Sequence, residues 1–328
     1  MKKRGRALAL LLATVLTVSS VPGTVLAAEG IRPQDGTTKE QPFLSGTGGS
    51  SQFRIPCLVS LDDGTIVAGC DARWNTSGDG GGLDTIVSRS TDKGKTWHYT
   101  FANYLGDNGN AWNNYSTAFI DPAMATDGKR VYMIADLYPA GYALNSAKYP
   151  PVPGKSHDKD GNILLADASS WETAVDARKD GNNYTYHLEK NDKKKSDSAY
   201  VIKDADGKAV DGYTVDAYFN IKGNGVDTNL FEAESPFQVW PTDYLYLTTS
   251  EDGGATWSVP TIVNARRETE QSLLVGPGRG MVTSTGALSS LHMNTQTEIK
   301  TVLRSTLTMK ERHGQGVSLC QARVRRRL

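Results

Sequence analysis

The chain has 328 residues, with 36 Lys and Arg against 36 Asp and Glu, so its formal charge at neutral pH is zero. That excludes a globally basic nucleic-acid binder and gives no reason for attraction to an anionic membrane surface. Gly (33), Tyr (14) and Trp (6) are well represented while long apolar helical stripes are missing, which predicts an all-β protein with many turns.

The N-terminus reads as a targeting segment. Lys2, Lys3, Arg4 and Arg6 form a basic start, and Ala7 to Val18 is an apolar run too short to span a bilayer comfortably. Val25-Leu26-Ala27 offers small residues for signal-peptidase cleavage, so residues 1–27 are expected to be removed and the protein to be secreted or surface-held. No second apolar run of spanning length follows, so no transmembrane segment is expected after cleavage. Residues 28–42 are polar and read as a linker.

From Phe53 the pattern becomes short β runs broken by turns. Phe53-Arg54-Ile55-Pro56 puts an arginine on a stiff, apolar strand end. Such an arginine can hold a planar carboxylate through two parallel charge-assisted hydrogen bonds, and it does not lose its proton. Taken alone it reads as an arginine snorkelling from a strand edge; its neighbours change that reading. Ile55–Ser60, the turn Asp62-Asp63-Gly64 and Thr65–Gly69 predict a hairpin. Cys57 and Cys70 flank that hairpin. With Cys320 they are too few for a disulfide framework, and they are read as small buried hydrophobes. No Cys/His cluster has zinc spacing, and neither a metal nor another cofactor is expected.

Asp84–Arg89 alternates and leads into Ser90-x-Asp92-x-Gly94-x-Thr96-Trp97, which recurs as Ser250-x-Asp252-x-Gly254-x-Thr256-Trp257. The residue types predict a self-satisfied turn. Asp caps backbone N–H groups, Gly takes a positive φ and Trp packs underneath. The acidic spacing is not that of a calcium loop, and the repeat is read as structural. Residues 144–231 interrupt the pattern, with the Pro-rich Tyr149–Pro153, the lysine run Lys193–Lys195 and Asp-x-Asp-Gly turns at Asp158 and Asp204. These turns are hairpin chemistry first, with a calcium site as the weaker reading.

The two turns resemble the Asp-boxes of sialidases, and Phe53–Pro56 resembles that family's Phe-Arg-Ile-Pro motif. The resemblance runs from about Phe43 to Gly286. It includes Ile120-Asp121-Pro122, Ala135–Pro139, Ser235-Pro236-Phe237 and Val275–Gly278. It implies a bacterial, secreted exo-α-sialidase with a six-bladed β-propeller, of which about the first half is present (43–143 and 232–286), interrupted by a small β-rich insertion (144–231). The implied substrates are sialylated glycans: glycoproteins, gangliosides and oligosaccharides. Sialidases use a tyrosine nucleophile with a glutamate partner where most glycosidases use two carboxylic acids. Carried over residue by residue, Arg54 matches the first of three arginines that clamp the sugar carboxylate. Arg73 and Asp121 match the pair that contacts the O4 hydroxyl, and Asp79 in its Gly-rich loop matches the catalytic acid/base. The other readings stand beside these: Asp71 and Arg73 as a structural ion pair, Asp79 as a turn residue.

The implied glutamate, tyrosine and two further arginines do not follow. Residues 287–328 hold eight Lys and Arg against two Glu, and turn spacing and β alternation both fail there. A reading-frame shift near Gly286 is expected, with a genuine basic tail as the alternative. On this reading the chain is an inactive piece of a sialidase. A non-catalytic sialoglycan-binding propeller, a structural propeller and, in the full-frame protein, a trans-sialidase are the other readings.

Overall fold

The computed structural model describes residues 35–74, 77–79, 82–105, 117–144, 150–168, 178–192 and 198–282, and beyond these backbone strands between 288 and 324. The expected signal peptide, the lysine run Lys193–Lys195 and Cys320 lie outside the described residues. Nearly all regular structure is β. Among the described residues no helix is long and apolar enough to cross a membrane.

The first unit is an antiparallel meander of β2 (Gln52–Ser60), β3 (Ile66–Arg73), β4 (Leu83–Ser90) and β5 (Thr96–Asn103). Its edge is extended by β1 (Gly36–Lys39), which pairs with β5. The stretch 28–42, expected as a linker, thus contains a strand. Thr37 and Thr38 suit an edge position, where only one ladder must be satisfied. The β2–β3 turn closes as the Asp-Asp-Gly sequence dictates: Asp63 Oδ1 accepts the Thr65 amide at 2.8 Å and Gly64 takes φ 87°.

The second unit is β6 (Ala118–Thr126), β7 (Val131–Tyr138), β15 (Tyr244–Ser250) and β16 (Thr261–Val263). Among the described residues strand pairing links the two units only at the parallel bridge Leu83↔Ala118. Between β7 and β15 the chain leaves to build a separate sheet. Its strands are β8 (Ile163–Asp167), β9 (Tyr186–Lys190), β10 (Tyr200–Lys203), β11 (Thr214–Val215), β12 (Asn220–Gly223), β13 (Val226–Asn229) and β14 (Phe237–Val239), in the order β13-β12-β11-β10-β9-β8-β14. This sheet is fused to the second unit by one apolar core, in which Phe119 and Tyr246 meet edge to face at 4.9 Å and Phe231 and Tyr244 at 5.3 Å. The Asp158 and Asp204 carboxylates are engaged by the amides of their own turns, Asp160 and Asn162 in one and Asp206 and Lys208 in the other.

A third unit begins at β17 (Ser272–Val275), with β18 (Gly278–Arg279) running parallel to β6 and β19 (Met281–Val282) following. β17 and β19 pair with β20 (Leu288–Gln296), and β20 pairs with β21 (Ile299–Leu307). β22 (Met309–Arg312) and β23 (Gln315–Leu319) pair together, and β24 (Arg323–Val324) returns to β21. Strand structure therefore continues where the sequence pattern argues against it. Thr-, Val-, Ile- and Leu-rich runs satisfy backbone ladders without strict alternation, because the ladder needs amides and carbonyls rather than a side-chain period.

Both Ser-x-Asp-x-Gly-x-Thr-Trp turns carry one hydrogen-bond network. Ser90 Oγ accepts the Gly94 amide at 2.8 Å, Asp92 Oδ1 accepts the Thr96 amide at 2.9 Å, and the Thr96 hydroxyl donates to Asp92 Oδ2 at 2.6 Å. Ser250, Asp252, Gly254 and Thr256 repeat these bonds at 2.7, 2.8 and 2.6 Å. Trp97 is buried and donates Nε1–H to the Gly94 carbonyl. Gly94 and Gly254 sit at φ 84° and 88°, where a side chain would be strained.

Candidate functional site

The site grows from the end of the β2–β3 hairpin. Arg54 lies directly opposite Asp71 across the ladder. Asp71 and Arg73, two apart on one strand, share a face, so the register alone brings three charged side chains together. Past Arg54 the register slips, with Ile55 at φ 58° and Pro56 after it. A β-branched residue is costly in that conformation, and Pro56 has no N–H to return to the ladder; the bulge interrupts pairing until Cys57 and aims Arg54 outward. Its side chain is 47 % exposed.

Arg73 lies on the same face and is fully buried with Asp71. Its Nη2 donates to Asp71 Oδ2 at 2.7 Å. Its Nη1 faces the loop and donates to the Ser77 carbonyl at 2.8 Å, the Gly78 carbonyl at 2.7 Å and Asp79 Oδ1 at 2.7 Å. Arg54 Nη1 reaches the same Ser77 carbonyl at 2.9 Å and the same Asp79 oxygen at 3.3 Å. One carboxylate oxygen is thus shared by two guanidinium groups.

Asp121 arrives from β6, at a second bulge between Ile120 and Ala123, with φ 57° and Pro122 following. Its amide donates to Asp71 Oδ1 at 3.1 Å. Burial lifts the Asp121 carboxyl above its ordinary range, the nearby Asp79 carboxylate adds to that, and Arg73 and Arg54 pull it down. Burial likewise raises the Asp71 carboxyl, against the pull of Arg73. All four sequence-derived site residues, Arg54, Arg73, Asp79 and Asp121, therefore fall in one cluster. Asp71, which the sequence suggested only as a structural ion-pair partner of Arg73, is its centre. Its signal was the i, i+2 spacing with Arg73 and the position opposite Arg54.

Chemically, the cluster is a carboxylate-binding corner with a half-exposed rim. Two guanidiniums face three carboxylates, and Asp79 takes Nη1 of both, so an incoming anion competes with Asp79 for those donors. Asp79 is 43 % exposed and sits on a Gly-flanked loop, which gives it room to move aside. Among the described residues no cluster of His, Cys, Asp and Glu is set to hold a metal ion. Cys57 and Cys70 are buried free thiols, and burial pushes the Cys57 thiol up to about 12, so neither is reactive.

No family model matches the chain. Among curated proteins it is 29% identical over 276 residues to the anhydrosialidase of Macrobdella decora, covering 72% of this chain and 34% of that protein. It is 28% identical over 239 residues to sialidase B of Streptococcus pneumoniae serotype 4, covering 66% of this chain and again 34% of the relative. These relatives are named as sialidases, and the chain spans about a third of their length. Among solved structures it is similar to the intramolecular trans-sialidase of Ruminococcus gnavus, solved with oseltamivir carboxylate. The TM-score is 0.67 with 25% identity, over 85% of this chain and 62% of that one. The leech intramolecular trans-sialidase, solved with 2,7-anhydro-Neu5Ac, shares the fold with a TM-score of 0.66, over 86% of this chain and 45% of that one. The all-β architecture fits a propeller.

Proposed function

We propose that this chain is the first part of a secreted exo-α-sialidase and carries one side of its sialic acid site. The reading rests on a single observation: Arg54 and Arg73 together hold a carboxylate, that of Asp79, at the rim of a half-exposed corner. In use, the sugar's own carboxylate displaces Asp79 from Arg54; freed of that guanidinium, Asp79 takes a proton from solvent and gives it to the leaving oxygen as the general acid. Arg73 and Asp121 meet the O4 hydroxyl. The antiparallel units are the first blades of a six-bladed propeller (43–143 and 232–286). The β8–β13 strands, within 144–231, are an insertion between two strands of one blade, to whose sheet β14 of the returning chain adds the last strand, and residues 1–27 are the export signal. The substrates are sialylated glycoproteins, gangliosides and oligosaccharides.

The corner is short of positive charge, with two guanidiniums facing Asp71, Asp79 and Asp121. On the resemblance, two more arginines, a glutamate and a tyrosine complete it, and residues 287–328 supply none of them in matching motifs. The basic tail is best explained by a reading-frame shift near Gly286, which the nucleotide sequence decides. The 328-residue chain is therefore expected to bind sialosides weakly and to leave a fluorogenic sialoside intact. Measurable release of the fluorophore by the purified chain would refute its inactivity.

A second reading is favoured by the relatives' own names. An anhydrosialidase and intramolecular trans-sialidases are among the similar proteins, so the complete enzyme would transfer the sialyl group onto the sugar's own hydroxyl instead of water. Product analysis separates the two: an anhydro sugar supports transfer, and free sialic acid supports hydrolysis.

A further inference from the structure

We infer that Asp71 is the positioning residue of this corner: it fixes Arg73 and Asp121 relative to one another and so sets how the site reads the hydroxyl they share. The inference rests on the sialic acid reading above. Asp71 is fully buried, with no surface left to offer a sugar. Its two oxygens are divided between two elements, Oδ2 taking Arg73 Nη2 on its own strand and Oδ1 taking the Asp121 amide on β6. Among the described residues strand pairing joins those two units only at Leu83↔Ala118, so Asp71 is a tie between them at the site itself. It also steadies Asp121 at φ 57°, a conformation that a non-glycine residue holds only when its surroundings insist. Asp136 supplies a built-in control. It lies opposite Ile120 as Asp71 lies opposite Arg54, is equally buried, and accepts the Val275 amide with both oxygens at 2.9 and 3.1 Å. It makes no hydrogen bond to a proposed site residue among the described residues.

The test titrates N-acetylneuraminic acid and its 4-deoxy analogue into the 328-residue chain by ligand-observed NMR, alongside Asp71→Asn, Asp136→Asn and Arg54→Ala. Wild type is expected to favour the hydroxylated sugar by about fivefold, the scale of one net hydrogen bond. Asp71→Asn should erase that preference while the 4-deoxy affinity stays within about twofold, and Asp136→Asn should keep it. A merely structural Asp71 would weaken both sugars alike; that result, or an unchanged preference, overturns the inference. Arg54→Ala binding as wild type does, or no binding to wild type at all, overturns the site reading beneath it. Should Asp71→Asn fail to fold, it is made in an Arg73→Gln background that removes the buried charge. There it should still lower the remaining preference, through Asp121, and no further change would overturn the inference.

Discussion

The β2–β3 and β6–β7 hairpins are one design built twice. Each slips register at a bulge whose second residue takes a positive φ, Ile55 at 58° and Asp121 at 57°, and each places a proline next. Each sets a buried aspartate opposite the residue before the slip, and that aspartate reaches an amide of the next unit, Asp121 from Asp71 and Val275 from Asp136. They differ in what hangs on the frame. The first carries Arg54 and Arg73, the second Ile120 and Tyr138 at the matching places. The buried aspartate and the bulge belong to the scaffold, then, and the two arginines make one copy a site. Position in the frame explains why these residues are near each other, and charge explains why only one corner holds a carboxylate.

The comparison breaks most easily at the two aspartates. Asp71→Asn takes from the fully buried Arg73 its buried carboxylate and leaves it only the half-exposed Asp79 as an ion-pair partner, which should cost about 3–5 kcal/mol in urea unfolding. Asp136 faces an amide and no cation, so Asp136→Asn should stay within about 1 kcal/mol of wild type. Equal costs would mean that the arginine adds nothing to the frame.

A pH series sharpens the same contrast. Burial lifts the Asp136 carboxyl well above its ordinary range, with Asp243 adding to it, and burial lifts Asp243 itself to about 7. A raised carboxyl keeps a proton in the folded state that the unfolded state gives up. Its stabilisation is complete below the ordinary carboxylate value and is lost as pH rises, for Asp243 through about 7. The repeated turns act oppositely. Hydrogen bonds from the Thr96 side chain and amide hold Asp92 down at about 2, so its contribution is present above the ordinary value and is lost as pH falls toward 2. Urea midpoints measured across this range should decline at both ends, and Asp136→Asn should flatten the high-pH side only.

Smaller effects separate exposed from buried parts of the site. Arg54→Ala should cost stability no more than about 1 kcal/mol, since its pair with Asp79 is half exposed, while removing sialoside binding. Ile55→Gly should shift stability by less than about 1 kcal/mol, because relief of the positive φ offsets the added freedom of the unfolded chain. A larger loss would place the Ile55 side chain, rather than the bulge, in charge of aiming Arg54.

Much of the site was legible because it is local. Arg54, Asp71, Arg73 and Asp79 lie within 26 residues of one another, and strand period plus register bring the first three together. The turn networks were legible for the same reason, since Ser90–Trp97 satisfies its own hydrogen bonds. The bond from the Asp121 amide to Asp71 spans 50 residues and joins two sheet units, and nothing in either segment alone announces it. The strand at Gly36–Lys39 was hidden by a polar composition, because an edge strand needs a partner ladder and little apolar surface. The joint core of Phe119, Phe231, Tyr244 and Tyr246 was hidden because its residues come from either side of a long excursion of the chain.

The central claim, that the Arg54 corner takes the carboxylate of sialic acid, is tested most directly by titrating 3′-sialyllactose and lactose into the chain and its Arg54→Ala variant by ligand-observed NMR. The account predicts binding of the sialylated sugar alone, with a Kd of about 1 mM or weaker for a clamp with part of its arginines, and its loss in the variant. Binding of 3′-sialyllactose that is the same in both proteins would contradict it.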